Sequence, residues 1–514
     1  MTILYRTLQL LRAIYDFIID TFFEIYYGSA KNPLAPIENK IVLESACSLA
    51  LKIKNRSLKA EDVVGAFIER TKQVNPLINA MVDERFIEAL KEARKIDQDI
   101  TNGRITQEEL DRKPFLGVPF TAKESASSKG LKWTFGLVAR KNIVAEEDAA
   151  VIRLMKQAGA IQIGVTNVPQ LNFWGETYNP VYGTTCNPYD LRRNAGGSSG
   201  GEASLIAACG SPLGIGTDLG GSIRIPAHRC GIFGHKPSPN LTPNKGLGFS
   251  KGDVPTLSVA GPLTKHVEDL LPMLKVLVGE NISKVKLDEY VNVKNLNVFY
   301  ITSIKCLRNV QITEEMQSNV FKVVKYFQTI SGRAPIKLDL DDTKYAMELW
   351  SYKIKMEKSD FKHNLTNRQG RVNVPIEYFK YLCGKSEYTG YTLFNMINGL
   401  LSNVDFDWAK ETLRKLREDL LEKLGDNGIL IFPSEPRPAT HNYSTLLQYG
   451  LSYFCLWNAL EMPVTQVPLG LNKDGLPYGV QIVTAPYQDH LSIAVAVALE
   501  KIFGNNAGII GHEN

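Results

Sequence analysis

The chain has 514 residues, 44% of them hydrophobic and 22% charged, with a formal net charge of +5. Such proportions suit a globular core and exclude a chain disordered throughout. The charge is small, and no Lys/Arg block or basic stripe interleaved with aromatics occurs, which excludes nucleic acid as a partner. Seven scattered cysteines without a Cys-x-x-Cys pair give no disulfide framework and fit a reducing compartment.

Residues 3 to 27 predict a helix, and residues 1–28 read as a unit of their own. Arg12, Asp16, Asp20 and Glu24 recur at every fourth position and form one slowly drifting stripe. Leu4, Leu11, Ile14, Ile18, Phe22 and Ile25 occupy the opposite side, without the roughly 18 uninterrupted apolar residues that a spanning helix needs. We expect this helix to lie in a membrane interface. A transmembrane anchor and a helix packed on its own domain are the alternatives. A cleaved signal peptide is excluded, because no basic start precedes a clean apolar stretch and a small-residue cleavage site.

Two prolines in Asn32-Pro-Leu-Ala-Pro36 stop that helix. From residue 35 to 506 no long linker, heptad run or repeat divides the chain, so we read one large domain. Ser57 is predicted to cap a helix with Glu61 and Asp62 in its first turn and Val63, Val64, Phe67 and Ile68 on its apolar side, ending before Pro76. Buried-strand candidates follow at Ile161–Val165, Asn297–Ile301, Ile429–Phe432 and Val480–Val483. Their alternation with helical stretches predicts an α/β fold, a central mixed twisted sheet covered by helices on both faces. Asn240 to Gly261 reads as a Pro/Gly-rich loop region. The more polar span from Lys284 to Leu424, with a helix from near Thr313, reads as the variable part of the fold. Within it, Tyr391 to Leu401 is unusually apolar and reads as a core helix.

Three segments carry chemistry: Gly117-Val-Pro-Phe-Thr-Ala-Lys123, Gly196-Gly-Ser198-Ser199-Gly-Gly201 and Asp218-Leu219-Gly220-Gly221-Ser222-Ile-Arg224. Glycines on both sides of a serine remove Cβ atoms, so the backbone turns tightly and its N–H groups approach a ligand. An exposed nucleophile beside an oxyanion hole has that need. A flexible linker is excluded, because Glu202-Ala-Ser-Leu-Ile-Ala-Ala-Cys209 is a buried-helix pattern. A phosphate loop fails for want of a closing Gly-Lys-Ser/Thr, and Gly214-Ile-Gly216-Thr-Asp-Leu-Gly220 misses the dinucleotide spacing by one residue. His228, Cys230 and His235 lack a second ligand pair at zinc spacing, so no metal is expected.

These segments, followed by Gly231-Ile-Phe-Gly-His-Lys-Pro-Ser238 and Gly261-Pro-Leu-Thr264, resemble the amidase signature family in order, over Ile41 to Phe503. Gly164-Val-Thr-Asn-Val-Pro-Gln170 and Asn187-Pro-Tyr-Asp190, between the first two, add to the match. Phe233 to Pro239, Pro243-Asn-Lys-Gly246 and Pro463 to Asn472 look most like its fatty-acid amide hydrolases. The resemblance implies a serine amidase that cleaves N-acyl ethanolamines or primary fatty amides to fatty acid and amine through an acyl-enzyme on Ser222. It implies Ser198 as the bridging serine, Lys123 as the base, and an oxyanion hole of the Leu219, Gly220, Gly221 and Ser222 N–H groups. Ser199 is expected to hydrogen-bond within the relay, and Asp218 and Arg224 to support the turn. Phe173 and Trp174 are candidates for an acyl channel or for core. Tyr391 to Leu401 has a second reading as a membrane-facing cap. No cofactor is implied. The implied partners are a lipid amide and a membrane surface, on intracellular membranes or lipid droplets, with a homodimer left open. An amidase for other small amides, the amidase-like component of a transfer-RNA amidotransferase, and a catalytically dead scaffold are the rivals. Glu461 departs from the family, which tends to have glycine there.

Overall fold

The computed structural model describes residues 2–28, 34–248, 256–304, 306, 310–357, 361–397, 404–448 and 450–504. Its centre is a mixed sheet of eleven strands: β1 Met81–Glu84, β2 Pro119–Lys123, β3 Ile161–Thr166, β4 Leu213–Asp218, β5 Phe233–Lys236, β6 Val259–Thr264, β7 Asn297–Tyr300, β8 Ile336–Lys337, β9 Gly428–Pro433, β10 Val464–Leu471 and β11 Pro477–Thr484. The order across the sheet is β1-β3-β2-β4-β6-β5-β10-β11-β9-β7-β8. Inside the antiparallel edge strand β1, strands β3, β2 and β4 run parallel, and β9, β7 and β8 run parallel at the other end, with antiparallel neighbours between. All four predicted strands are present, since runs of Ile, Val and Phe buried on both faces leave few alternatives.

Flanking helices include α1 Thr2–Tyr27, α2 Ala60–Ile78, α3 Phe86–Thr101, α4 Gly200–Ala207, α5 Arg224–Arg229, α6 Glu314–Ser331, α7 Ala346–Met356, α8 Val374–Leu382, α9 Gly390–Ile397 and α10 Ser452–Ala459. Helix α6 begins beside Thr313 as expected, and the Thr313 side chain caps it by accepting from Met316 N. The start of α2 differs from expectation. Lys59, not Ser57, is the capping residue, and the free N–H groups of Ala60 and Glu61 donate to Asp97 on α3 at 2.7 and 3.0 Å. Pro76 lies inside the last turn of α2, which runs on to Ile78.

Helix α1 meets the body with its charged side. Arg12 pairs with Asp16 and donates to Leu447 O, Arg437 reaches Asp20 at 2.6 Å, and Glu24 faces Arg193 at 2.6 Å and Arg192 at 3.3 Å. Asp16 is buried, and Phe23 and Tyr27 stack on His441. Leu11, Ile14, Phe17, Ile18, Phe22 and Ile25 point outward and are exposed. The helix therefore packs on its own domain through its polar stripe. No helix among the described residues is long and apolar enough to cross a membrane.

Three large cores lie along the sheet among the described residues. One joins Val63, Val64 and Phe67 of α2 to Phe115 and Phe120; a second joins Trp350, Phe432, Phe454 and Trp457; a third joins Phe233, Phe327, Ile431 and Ile482. The turn from Asp218 to Ile225 leaves β4 beside the second core, with Ile225 packed into it. The cap reading of Tyr391 to Leu401 is not met in α9, where Tyr391, Leu393 and Met396 are buried; residues 398–401 lie outside the described residues. The exposed apolar helix is the preceding one, α8, where Ile376, Phe379 and Leu382 are 53%, 69% and 70% exposed and no residue is buried. Residues 249–255 of the expected 240–261 loop are also outside the described residues, and β6 already begins at Val259.

Candidate active site

Strand β2 ends on Lys123, whose amine is fully buried and lies 2.9 Å from both Ser198 Oγ and Thr217 Oγ1. An ammonium without water or a paired carboxylate is poorly stabilised there. Burial accordingly pushes Lys123 down to about 7, against the opposing pull of Asp218 and Glu202. Glu202, in the first turn of α4, is held between Thr121 and Thr166, whose hydroxyls lie 2.7 and 2.8 Å from its two carboxyl oxygens. Burial raises it to about 8.

Two glycine turns meet next to this amine. Ser199 N donates to Ser222 O at 3.1 Å, tying the Gly196–Gly201 loop to the turn after β4. A Cβ on Gly197 would fall 2.5 Å from Trp174 O, and one on Gly221, whose φ is +122°, would fall 2.5 Å from Phe454 Cβ. Both positions therefore demand glycine. The Gly197–Ser198 peptide is cis. No hydrogen bond joins Ser198 Oγ to Ser222 Oγ among the described residues; such links often tighten only once substrate is bound.

Asp218 and Arg224, both with fully buried side chains, brace the turn that carries Ser222. Asp218 accepts from Gly221 N at 2.7 Å, Ile223 N at 3.1 Å and Asn458 Nδ2 at 2.8 Å, and pairs with Arg224 Nε at 3.0 Å. Arg224 also reaches Gln481 Oε1, Phe454 O and Asn458 Oδ1. Burial opposes ionisation of Asp218, but Arg224, Lys236 and Asn458 outweigh it and hold the carboxyl at about 2.

Two expectations change. The N–H of Gly221 is taken by Asp218, so Leu219, Gly220 and Ser222 are the expected oxyanion-hole residues that line the adjacent cleft. Ser199 Oγ accepts from Thr217 N at 3.4 Å, and among the described residues no hydrogen bond joins it to Lys123 or Ser198. Thr217 holds the lysine instead, a residue that no motif singles out although it directly precedes Asp218.

The cleft beside Ser222 encloses about 560 Å³ including its open mouth, and both Phe173 and Trp174 line it. Phe173 stacks on Trp350 at 6.0 Å, and Trp350 Nε1 donates to Leu219 O at 2.9 Å. Trp174 stacks on Tyr391 of α9 at 4.7 Å. Glu461 takes the left-handed φ of +58° that suits glycine, and its side chain pairs with Lys353 of α7 at 2.8 Å. His235, weighed as a metal ligand, lies against Thr465 and Asp489.

The arrangement couples a buried amine with a pKa near neutrality, two serines and a lined cleft. The Amidase family profile matches residues 62–493. The chain is 39% identical to human fatty-acid amide hydrolase 2 (Homo sapiens), over 93% of this chain and 92% of that protein. It is also 39% identical to fatty-acid amide hydrolase 2-A of Danio rerio, over 92% and 91%. A glutamyl-tRNA(Gln) amidotransferase component from Fusobacterium nucleatum is 29% identical over 91% and 98%. A solved fatty acid amide hydrolase superposes with a TM-score of 0.75 at 23% identity, covering 92% of this chain and 87% of that one, which shows a shared fold.

Proposed function

Because this chain belongs to the amidase signature family and is a hydrolase of amide C–N bonds, we propose that it cleaves fatty-acid amides through an acyl-enzyme on Ser222. The observation that carries the reading is the buried Lys123 amine, brought to about 7 and lying 2.9 Å from Ser198 Oγ. A serine hydroxyl needs a base as it attacks, and a lysine serves only when neutral. From an unperturbed value of about 10.4, the shift represents roughly 4 to 5 kcal/mol of selective destabilisation of the ammonium.

Ser222 Oγ attacks the carbonyl carbon while its proton passes to Ser198 Oγ and the Ser198 proton passes to Lys123 Nζ. The N–H groups of Leu219, Gly220 and Ser222 stabilise the oxyanion; one such donor is typically worth a factor of about 100 or more. The proton returns by the same path to the leaving nitrogen, the C–N bond breaks, and amine departs. Water then attacks the Ser222 ester by the same relay and releases the acid. Asp218 and Arg224 act as positioning residues for the turn.

Phe173, Trp174 and Trp350 supply an apolar wall suited to an acyl chain, and the 39%-identical relatives are fatty-acid amide hydrolases. The lower identity to the amidotransferase component favours this reading over that rival. The outward apolar side of α1 and the exposed Ile376, Phe379 and Leu382 of α8 support a membrane surface as the place of work, where such substrates partition.

A fluorophosphonate probe should label the wild type on Ser222 and fail to label Ser222→Ala. Purified protein offered N-acyl ethanolamines, primary fatty amides, N-acyl amino acids and short aryl amides should turn over the first two classes fastest. An adduct mapped to Ser198 or Ser204 would sink the nucleophile assignment, and a preference for short aryl amides would sink the lipid one.

A further inference from the structure

The wall of the cleft is not all apolar. Arg229, the last residue of α5, and Glu435, just after β9, both reach it and form a buried bidentate pair, Nε to Oε2 at 2.8 Å and Nη2 to Oε1 at 2.5 Å. The remaining guanidinium nitrogen is also committed within the protein, to Asn194 Oδ1 and, at 3.4 Å, to Gly175 O. Arg229 therefore has little left to offer a ligand. Glu435 is in the opposite condition. Among the described residues each of its oxygens accepts one hydrogen bond, from Arg229, and a carboxylate oxygen accepts two.

The pair is held through Asn194 and Gly175, whereas the Phe173–Trp350 part of the aromatic wall rests on Leu219. A second hollow of about 200 Å³, lined by Val310, Arg437 and Gln448, adjoins the cleft and shares Glu435 and Gly450 with it. An acyl chain is poorly placed against an ion pair, because it offers the carboxylate nothing in exchange for water. With the acyl half on the aromatic wall, the group on the other side of the scissile carbonyl meets Glu435.

We propose that Glu435, held in place by Arg229, is a specificity residue that accepts a hydrogen bond from a hydroxyl on the amine half of the substrate. The assignment rests on the Ser222 reading above, because the two halves of the substrate are counted from the nucleophile. It selects amides of short hydroxylated amines over amides of apolar amines. It also selects against amines bearing a carboxylate, which would face Glu435 with like charge while Arg229 is already paired.

The test compares kcat/KM of the full-length protein for three matched amides of one acyl chain, the ethanolamide, the propylamide and the glycine conjugate, using both short and long acyl chains. A hydrogen bond to a charged acceptor typically contributes a factor of about 10 to 100. The ethanolamide should exceed the propylamide by that factor whichever acyl length turns over. Glu435→Gln keeps an acceptor but removes the charge, so it should keep the hydroxyl preference and raise the relative rate on the glycine conjugate. Arg229→Leu with Glu435→Leu removes both charges without stranding one, and should abolish or invert the ethanolamide preference. Melting temperature and fluorophosphonate labelling report whether each variant is folded. An ethanolamide-to-propylamide ratio that is near one in the wild type, or that survives in the double variant, overturns the assignment. If no acyl length is hydrolysed, the lipid amidase reading fails. The assignment is then read from protection of Ser222 against labelling, where stronger protection by the ethanolamide supports it and equal protection overturns it.

Discussion

Lys123 carries two proton transfers in the proposed cycle, one from Ser222 on attack and one to the leaving nitrogen. Lys123→Ala should therefore lower kcat/KM far more for an amide than for the matching ester, since an alkoxide leaves with less help from an acid. Each transfer is typically worth a factor of about 100 to 10,000, so the amide should lose several decades and the ester markedly fewer; equal losses would remove the leaving-group role. The pH response follows from the same amine. Burial holds Lys123 at about 7, and only its neutral form accepts a proton. Wild-type kcat/KM on an amide should thus rise with pH through about 7 and level off above it, and an alkaline limb centred near 10 would contradict this. At this scale the two serines stand out in the sequence by their flanking glycines, whereas Lys123 stands out only through the family resemblance, and the structure brings its amine within 2.9 Å of Ser198 Oγ. Thr217, Glu202 and the Arg229–Glu435 pair were not legible there, since each gains its meaning from a partner distant in the chain. The Gly221 N–H was assigned to the oxyanion from the motif, whereas the Asp218 side chain three residues before it claims that donor.

Among the elements, α1 shows how a sequence pattern can be read correctly as a pattern while its orientation stays open. A four-residue repeat of charge specifies which residues share a side of the helix, but whether that side faces water or protein depends on Arg437, Arg192, Arg193 and Gln448, far away in sequence. Burial together with Arg193 holds His441 down to about 4, so the imidazole beside Glu24 is neutral and the two arginines carry the pairing. Asp20→Lys would set two cations against each other and should speed amide hydrogen exchange in α1 by roughly 5-fold, the effect of about 1 kcal/mol expected of a partly exposed pair. Adding Arg437→Asp should restore slow exchange. If the single substitution leaves exchange unchanged, these contacts do not hold the helix. The misplaced start of α2 has a similar origin. Ser57 had the chemistry of a cap, yet Asp97 from a neighbouring helix supplied it, and single-segment reasoning has no access to a cap delivered from elsewhere.

Over the whole molecule, the sheet was readable as a mixed α/β architecture because strands buried on both faces are apolar throughout. The strand order was not readable, since it depends on pairings between segments hundreds of residues apart, such as β5 beside β10. The apolar surfaces of α1 and α8 lie on separate parts of the chain and invite a joint test. Deleting residues 1–27, and separately making Phe379→Asp with Leu382→Asp, should each weaken binding to phosphatidylcholine vesicles while leaving hydrolysis of a soluble short-chain amide nearly unchanged. Binding that survives both changes would remove these faces from the membrane contact. The inward charges of α1 also give the protein a divided response to ionic strength. Screening shortens to about 3 Å at 1 M salt, which weakens the ion pairs between helix and body, whereas strongly salting-out ions such as sulfate reinforce burial of the outward apolar side. If the proposed membrane contact holds, a salt wash that strips proteins bound to bilayers by charge should leave this one attached while loosening the helix from the rest of the fold, so that its retention and its rigidity change in opposite directions.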